Sequence, residues 1–209
     1  METAPSSQNT ENRRKQDHQN SYPDVIANFA IGVGSVKKQH VVVDIHAGDE
    51  GIGPKLNRTG AKVIAIDQRG ALGLKPNGVP GECRRVNNGS DASRLTLPVE
   101  PRSADIVFVD LVLHHIQTPA VAIAEIKRIL KPGGRLVITD IEKYSDAESH
   151  EVSKDQWMGF YPGDIRHWLK TAGFSNIIVN PVPTRQYGGG SACLGNEMPV
   201  GYLMATGTA

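Results

Sequence analysis

Four short apolar runs and one weaker run, separated by helix-like or turn-rich segments, constrain the fold of this chain most strongly. The four runs are continuous rather than alternating, which is typical of strands buried on both faces of a parallel sheet. Between the last two runs, apolar residues at helical spacing predict a helix over 120–130, which Lys131-Pro132-Gly133-Gly134 then ends. The predicted strands are 41–45, 63–66, 85–87 (the weaker run), 105–109 and 135–139.

The remaining apolar segments extend this pattern to both ends of the domain. A short helix is expected from Pro23 to Ala30, another over 164–171 before Gly173, and two final strands over 176–179 and 201–206. Alternating strands and helices predict an α/β fold, in which a doubly wound, mostly parallel, seven-stranded sheet has helices on both faces. Such sheets bind ligands outside the carboxyl ends of their strands, where the strand order reverses.

Length and charge limit the number of domains and the kinds of partner. The 209 residues suffice for one domain. Residues 1–20 contain no large apolar side chain beyond Met1, so we interpret them as a disordered tail and 21–209 as the domain. A net charge of +1 favours a small-molecule partner over nucleic acid or anionic lipid. The oligomeric state, monomer or homodimer, stays open.

Cysteine usage and the absence of targeting segments bear on location. No apolar run approaches the roughly 18 residues of a membrane span, and the polar N-terminal segment is unlike a secretory signal. Two sparse cysteines, Cys83 and Cys193, are typical of reduced thiols. We therefore expect a cytoplasmic protein.

Polar residues follow the first three predicted strands and form a candidate site. The first strand runs into the glycine-containing turn 44–51, where backbone can approach a ligand closely and offer free N–H groups. Asp67, followed by Gln68, ends the second strand, where a carboxylate can accept hydrogen bonds from the hydroxyls of a ribose. Asp91, before Ala92, follows the third strand; it can accept from an adenine amino group or cap a helix.

Several later segments resemble the class I S-adenosylmethionine-dependent methyltransferases. The similar segments are 91–98 (DASRLTLP), 110–116 (DLVLHHI) and 126–136 (IKRILKPGGRL). Two further segments, 157–160 (WMGF) and 172–174 (AGF), look like the subgroup of ubiquinone-type and arsenite-type (arsenic-repressor-linked) enzymes. The resemblance implies a Rossmann-like sheet with an antiparallel last strand, S-adenosylmethionine as cofactor, and methyl transfer to a small-molecule acceptor that leaves S-adenosylhomocysteine.

The resemblance also assigns roles to individual residues. The first-strand turn would receive the methionine end of the cofactor, Asp67 the ribose, Asp91 and Ala92 the adenine, and the backbone around Asp110 would form the floor. His114 or His115 would face the acceptor as general base or orienting group, with a structural histidine as the alternative. The expected cofactor-binding residues are Asp44, His46, Gly48, Asp67, Gln68, Asp91, Ala92, Asp110 and Leu111.

Departures in the first turn leave other interpretations open. His46 and Glu50 stand where the family places glycine, and only Gly48 is retained. The main alternative is therefore a non-catalytic or atypical binding protein on a methyltransferase fold. Asp44, His46, Asp49 and Glu50 have metal-ligand chemistry but no recognised metal-site spacing, so we predict no metal. A nicotinamide-dependent oxidoreductase is a weaker alternative, because the turn lacks the Gly-x-Gly-x-x-Gly register.

Overall fold

The computed structural model of the chain describes residues 22–46, 52–67, 82–85, 96–144, 156–182 and 201–209. Within these residues, seven strands form one sheet. The strands are β1 (Val41–His46), β2 (Lys62–Asp67), β3 (Glu82–Arg85), β4 (Ala104–Asp110), β5 (Leu130–Ile141), β6 (Ser175–Val182) and β7 (Tyr202–Thr208). The predicted tail 1–20 lies outside the described residues, as do the Gly/Pro-rich segments 69–81 and 184–197.

Helices cover the sheet at both faces. They are α1 (Tyr22–Gly34), α2 (Gly53–Leu56), α3 (Pro119–Ile129) and α4 (Pro162–Thr171), with short 3₁₀ turns at Asn57–Thr59 and Leu113–His115. The three helices predicted from sequence are present. Helix α1 is four residues longer than predicted at its C-terminal end, where the Arg135 guanidinium donates to the carbonyls of Val33 and Gly34, each at 3.0 Å. These hydrogen bonds satisfy helix-terminal acceptors that would otherwise lack an intrahelical donor.

The strand order is β3-β2-β1-β4-β5-β7-β6. Strands β1 to β5 pair with parallel neighbours, and β7 is antiparallel to both β5 and β6. The order reverses between β1 and β4, because the chain adds β2 and β3 on one side of β1 and later strands on the other. The predicted class, a doubly wound and mostly parallel sheet with an antiparallel last strand, is confirmed.

Two strands differ in position from the sequence prediction. The third strand is Glu82–Arg85, not 85–87. Its ladder pairs Glu82 with Ile64 and Arg85 with Asp67, so it stops where β2 stops. Strand β5 begins at Leu130 rather than at 135. Its first residues are held by Ala209, whose carbonyl accepts from the Gly133 N–H and whose own N–H donates to the Gly134 carbonyl, both at 2.8 Å.

Two apolar layers enclose the sheet. One face, which includes Val43, Val107 and Ile138, packs against α3 and α4, and the other, which includes Val42 and Phe108, packs against α1 and α2. Successive strand residues alternate between the faces, so each strand contributes to both layers. Among the described residues, no helix is long and apolar enough to cross a membrane.

Candidate functional site

Three residues predicted from sequence to serve the site end neighbouring strands in one row. In the strand register, His46 of β1 is the partner of Asp67 in β2 and of Asp110 in β4. Thr139 of β5 continues the row as the partner of Asp110. The row crosses the point at which the strand order reverses, the position where open α/β sheets bind ligands.

A buried carboxylate lies below this row. Asp44 is fully buried two residues before the end of β1, on the face of Val42 and Phe108. Its register partners are Ala65 and Phe108. Burying a carboxylate is expensive unless donors or cations compensate it, so a buried aspartate at a strand end is an informative feature. It lies among the predicted cofactor-binding residues, on the α1 side of the sheet.

The turn after β4 has an uncommon backbone conformation. Leu111 has a φ of 52°, in the left-handed region that bulky residues rarely adopt. Its N–H donates to the Thr139 carbonyl at 2.9 Å, and the Thr139 hydroxyl donates to the Asp110 carboxylate. Thr139 therefore holds both residues that were predicted to form the floor of the site.

The structure separates the two histidines of the doublet. His114 is fully buried, and its Nδ1 lies 2.7 Å from Oδ1 of the equally buried Asp140. The imidazole of His114 and the carboxylate of Asp140 thus form a buried hydrogen-bonded pair. His115 is half-buried, and its ring centroid lies 4.0 Å from that of His114. A small molecule can thus reach His115 more readily than His114.

The segment that resembles the ubiquinone-type subgroup packs on the histidine turn. The N–H groups of Gln156 and Trp157 donate to the His114 carbonyl at 3.0 and 3.1 Å, and the Trp157 indole donates to the Ile116 carbonyl at 2.9 Å. The Trp157 ring contacts Phe160 and Trp168. These contacts tie the segment, and through Trp168 helix α4, to the carboxyl end of β4.

A charged pair on α3 forms hydrogen bonds to the backbone of the segment that follows the residues predicted to bind adenine. Glu125 accepts from the Leu97 N–H at 2.8 Å, and Arg128 donates to the carbonyls of Leu97 and Val99 at 3.1 and 3.0 Å. Burial alone would raise the pKa of Glu125, but the hydrogen bonds from Arg128 and Leu97 outweigh it and hold the pKa below its usual value. The same pairing raises the pKa of Arg128.

Part of the predicted site lies outside the described residues. Gly48, Gln68, Asp91 and Ala92 belong to that part, and for His46 and Asp67 the structure describes only the backbone. Their roles stay predictions. Among the described residues, no group of three or more His, Cys, Asp or Glu side chains could hold a metal ion.

Sequence reasoning missed Thr139 and Asp140, the residues that hold the turn after β4. A detectable signal was present, because they form a polar pair near the end of the apolar strand 136–141. Both are buried. Buried polar residues in an apolar run usually have a hydrogen-bonding role.

Part of the chain matches a known protein family. Residues 43–138 match the family described as Methyltransferase domain. The chain is 54% identical over 99 residues to an uncharacterized 37.1 kDa protein in transposon TN4556 of Streptomyces fradiae, with 42% of this chain and 29% of the relative aligned. It is 31% identical over 134 residues to the demethylmenaquinone methyltransferase of Mycolicibacterium paratuberculosis, with 64% of this chain and 54% of the relative aligned. The chain thus spans about a third to a half of these relatives.

Solved structures share the fold at low sequence identity. The [4+2]-cyclase SpnF superposes with a TM-score of 0.66 at 17% identity, covering 88% of this chain and 80% of the cyclase. Phosphoethanolamine N-methyltransferase 2 of Haemonchus contortus, in complex with S-adenosyl-L-methionine, superposes with a TM-score of 0.62 at 18% identity, covering 87% and 52%. Residues 43–138 thus resemble a methyltransferase domain, and the seven-stranded sheet has the fold of these solved structures.

Proposed function

We propose that this protein transfers a methyl group from S-adenosylmethionine to a small-molecule acceptor, releasing S-adenosylhomocysteine. The observation that carries the proposal is the row of Asp67, His46 and Asp110 across the point of strand-order reversal. The row lies within the segment that matches the methyltransferase domain.

The residues of the row and those near it fit the proposed cofactor chemically. S-adenosylmethionine supplies a methyl group activated on a positively charged sulfur. Carboxylates suit such a ligand, because they attract a cation and accept hydrogen bonds from ribose hydroxyls. In this proposal Asp67 accepts from the ribose, while Asp110 and Leu111 line the floor. Asp44 and the turn through His46 and Gly48 meet the methionine end, Gln68 accompanies Asp67, and Asp91 and Ala92 meet the adenine.

Direct transfer of a methyl group does not require the protein to form a covalent bond with the cofactor or the acceptor. The chain must hold the acceptor atom in line with the transferred carbon and keep water away. His115, half-buried beside the fixed ring of His114, is the residue that we propose meets the acceptor. It orients a polar acceptor atom or removes its proton. His114 would then serve the site through His115 rather than by contact.

For the acceptor, we propose an aromatic quinol of the kind that the ubiquinone-type subgroup uses. A relative named demethylmenaquinone methyltransferase supports this class. The arsenite-type alternative has less support in the sequence, which contains only two cysteines to bind a thiophilic acceptor. The net charge of +1 supports a small-molecule acceptor, and the two sparse cysteines support a cytoplasmic location. We further propose 21–209 as the catalytic domain and 1–20 as a tail outside it.

A second candidate is a methyltransferase-fold protein that binds the cofactor without transferring its methyl group. The non-glycine residue His46 at the end of β1 favours it, because the family places glycine there. The similarity to a structure named a [4+2]-cyclase shows that proteins with other named activities also have this fold.

Calorimetric titration with S-adenosylhomocysteine, followed by label transfer from methyl-tritiated S-adenosylmethionine to 1,4-naphthoquinol and to arsenite, separates these candidates. We expect micromolar binding, about −8 kcal/mol, and a matching rise in melting temperature. Binding with label transfer supports the enzyme, and the labelled product identifies the acceptor class. Binding without transfer to either probe favours the second candidate. No binding at millimolar ligand contradicts the cofactor assignment.

A further inference from the structure

Two consecutive residues near the end of β5, Thr139 and Asp140, both hold the turn that follows β4. Successive side chains of a strand point to opposite faces of the sheet. Thr139 belongs to the face of Val137, which packs toward α1, and Asp140 belongs to the face of Ile138, which packs toward α3 and α4. The turn is therefore held from both faces of the sheet by neighbours in sequence.

Thr139 makes two hydrogen bonds to the turn, one from its side chain on the α1 face and one from its backbone carbonyl. Its hydroxyl donates to Oδ1 of Asp110, and its carbonyl accepts the Leu111 N–H at 2.9 Å. Leu111 needs such support, because its φ of 52° is unfavourable for a side chain of its size. The hydroxyl thus fixes the direction of a carboxylate at the point where the strand order reverses.

On the other face, Asp140 makes two further hydrogen bonds to the turn. Its Oδ2 accepts the Leu113 N–H at 2.8 Å, and its Oδ1 lies 2.7 Å from Nδ1 of His114. The fixed His114 ring lies 4.0 Å, centroid to centroid, from that of His115. Asp140 therefore sets the backbone of the 3₁₀ turn and the orientation of the ring against which His115 packs.

We propose that Thr139 and Asp140 are the positioning residues of this site, each for one of the two ligands. Thr139 orients Asp110 and Leu111 on the cofactor side. Asp140 orients His114, and through it His115, on the acceptor side. This inference rests on the proposed function and adds to it residues that act through their neighbours. The roles are separable because the two residues belong to opposite faces.

The Thr139 role is tested by titrating S-adenosylhomocysteine into Thr139→Val, Thr139→Ser and the wild type. Valine keeps the shape of threonine but has no hydroxyl, so we expect affinity to fall about tenfold, as for loss of a hydrogen bond to a charged group. Serine restores the hydroxyl and should recover affinity to within about twofold of wild type. Equal affinities in the wild type and Thr139→Val overturn this half of the inference.

The matched control is Thr59→Val. The Thr59 hydroxyl donates to the Leu56 carbonyl in the turn that precedes β2, away from the carboxyl ends of the strands. This variant loses a part-buried hydroxyl, as Thr139→Val does, together with two hydrogen bonds, because the same oxygen also accepts from the Ala61 N–H at 3.3 Å. It should nevertheless keep the wild-type affinity. An equal loss of affinity in Thr59→Val would assign the effect to general destabilisation and overturn the positioning role.

The Asp140 role is tested with diethyl pyrocarbonate, which acylates accessible neutral imidazoles, with the modified histidine located by fragment mass spectrometry. In the wild type we expect His115 to react and His114 to be protected. Asp140→Asn keeps the side-chain shape but places an amide N–H opposite a hydrogen-bond donor of the turn. The two donors cannot pair, so His114 should lose its fixed position and become reactive. Continued protection of His114 in a folded Asp140→Asn protein overturns this half.

Asp105→Asn is the control for this experiment, because Asp105 also accepts one backbone N–H and one side-chain N–H, at the opposite end of the sheet. It should leave the modification pattern unchanged. If Asp140→Asn does not fold, His115→Asn in the wild-type background still tests whether His115 is the reactive histidine of this turn. Acylation should then disappear from the turn, because His114 stays protected by Asp140. If the wild type binds no S-adenosylhomocysteine, both the proposed function and the role of Thr139 are rejected. The modification pattern tests the role of Asp140 independently of cofactor binding.

Discussion

The Oδ2 atom of Asp105 accepts the Val41 N–H at 2.8 Å, so the first residue of β1 is held by the side chain of a residue in β4. Oδ1 of the same carboxylate accepts from Nζ of Lys131 at 2.7 Å. Burial alone would raise the pKa of Asp105, but these two hydrogen bonds outweigh it and hold the pKa below its ordinary value. The stability of the amino end of the central strands should therefore depend on pH through this carboxylate.

The contribution of Asp105 to stability should disappear in acid. A group whose pKa is lower in the folded state stabilises fully above its unfolded pKa, and the contribution is lost as pH falls through the folded value. We expect Asp105→Asn to lower the free energy of unfolding by about 1 kcal/mol at pH 7 and to approach the wild type below about pH 4. Urea unfolding at pH 7, 5 and 3 measures this difference. A gap that stays constant to pH 3 would contradict the expectation.

Two glycines of α1 should respond oppositely to alanine. A Cβ on Gly34 would lie 2.7 Å from Cζ of the buried Phe108 ring, whereas a Cβ on Gly32 meets nothing within 4 Å. Gly34→Ala should therefore cost about 1–3 kcal/mol by overpacking. Gly32→Ala should stabilise by about 0.5–1 kcal/mol, because alanine loses less conformational entropy in a helix. Thermal unfolding of the pair gives the comparison, and the same sign of change in both would show that α1 packs differently.

Asp67→Ala should weaken S-adenosylhomocysteine binding. In the proposed site this carboxylate accepts from two ribose hydroxyls, and hydrogen bonds to charged groups contribute about 1.5–3 kcal/mol, so affinity should fall about tenfold to a hundredfold. Calorimetric titration measures the change. The exposed Glu100 is a suitable control, and Glu100→Ala should bind as the wild type does. An unchanged affinity in Asp67→Ala would exclude the ribose contact.

Glu50→Gly should tighten binding of the same ligand. The change removes a negative charge near the expected position of the cofactor carboxylate and restores the backbone freedom that the family has there. The gain should be largest at low salt, where charge repulsion is least screened. Titrations at two ionic strengths measure it. Loss of binding would instead make Glu50 a ligand contact and invalidate the expected pose.

Deleting residues 1–20 should leave the melting temperature nearly unchanged. The segment has few apolar side chains to bury, so it contributes little to the core. Differential scanning calorimetry of the shortened and full chains compares them. A large fall in melting temperature would mean that the segment docks on the domain.

The central strands could be predicted because residues buried on both faces leave a continuous apolar run, as in 41–45 and 105–109. Strand β3 could not be located this way, because Glu82–Arg85 has no such run and its limits follow from its pairing with β2. The row of Asp67, His46 and Asp110 was predictable in outline, since carboxyl ends of parallel strands meet at one edge of the sheet. Thr139 and Asp140 stand out in the sequence only as a polar pair in an apolar run, and their roles could not be predicted because their hydrogen-bond partners lie about thirty residues away.

Because β7 lies between β5 and β6, the described sheet is continuous only once β7 has paired. Strand β6 pairs only with β7 among the described strands, although β6 comes earlier in the chain. During synthesis, α4 and β6 leave the ribosome before the strand that connects them to the rest of the sheet by hydrogen bonds. The parallel strands β1 to β5 can assemble first, and the closing event is a long-range insertion. The pairs of β7 with β5 lie about 60 to 70 residues apart in sequence. Such non-local pairing is intrinsically slow, so the strand edges on this side of the sheet are prone to aggregate until β7 has paired.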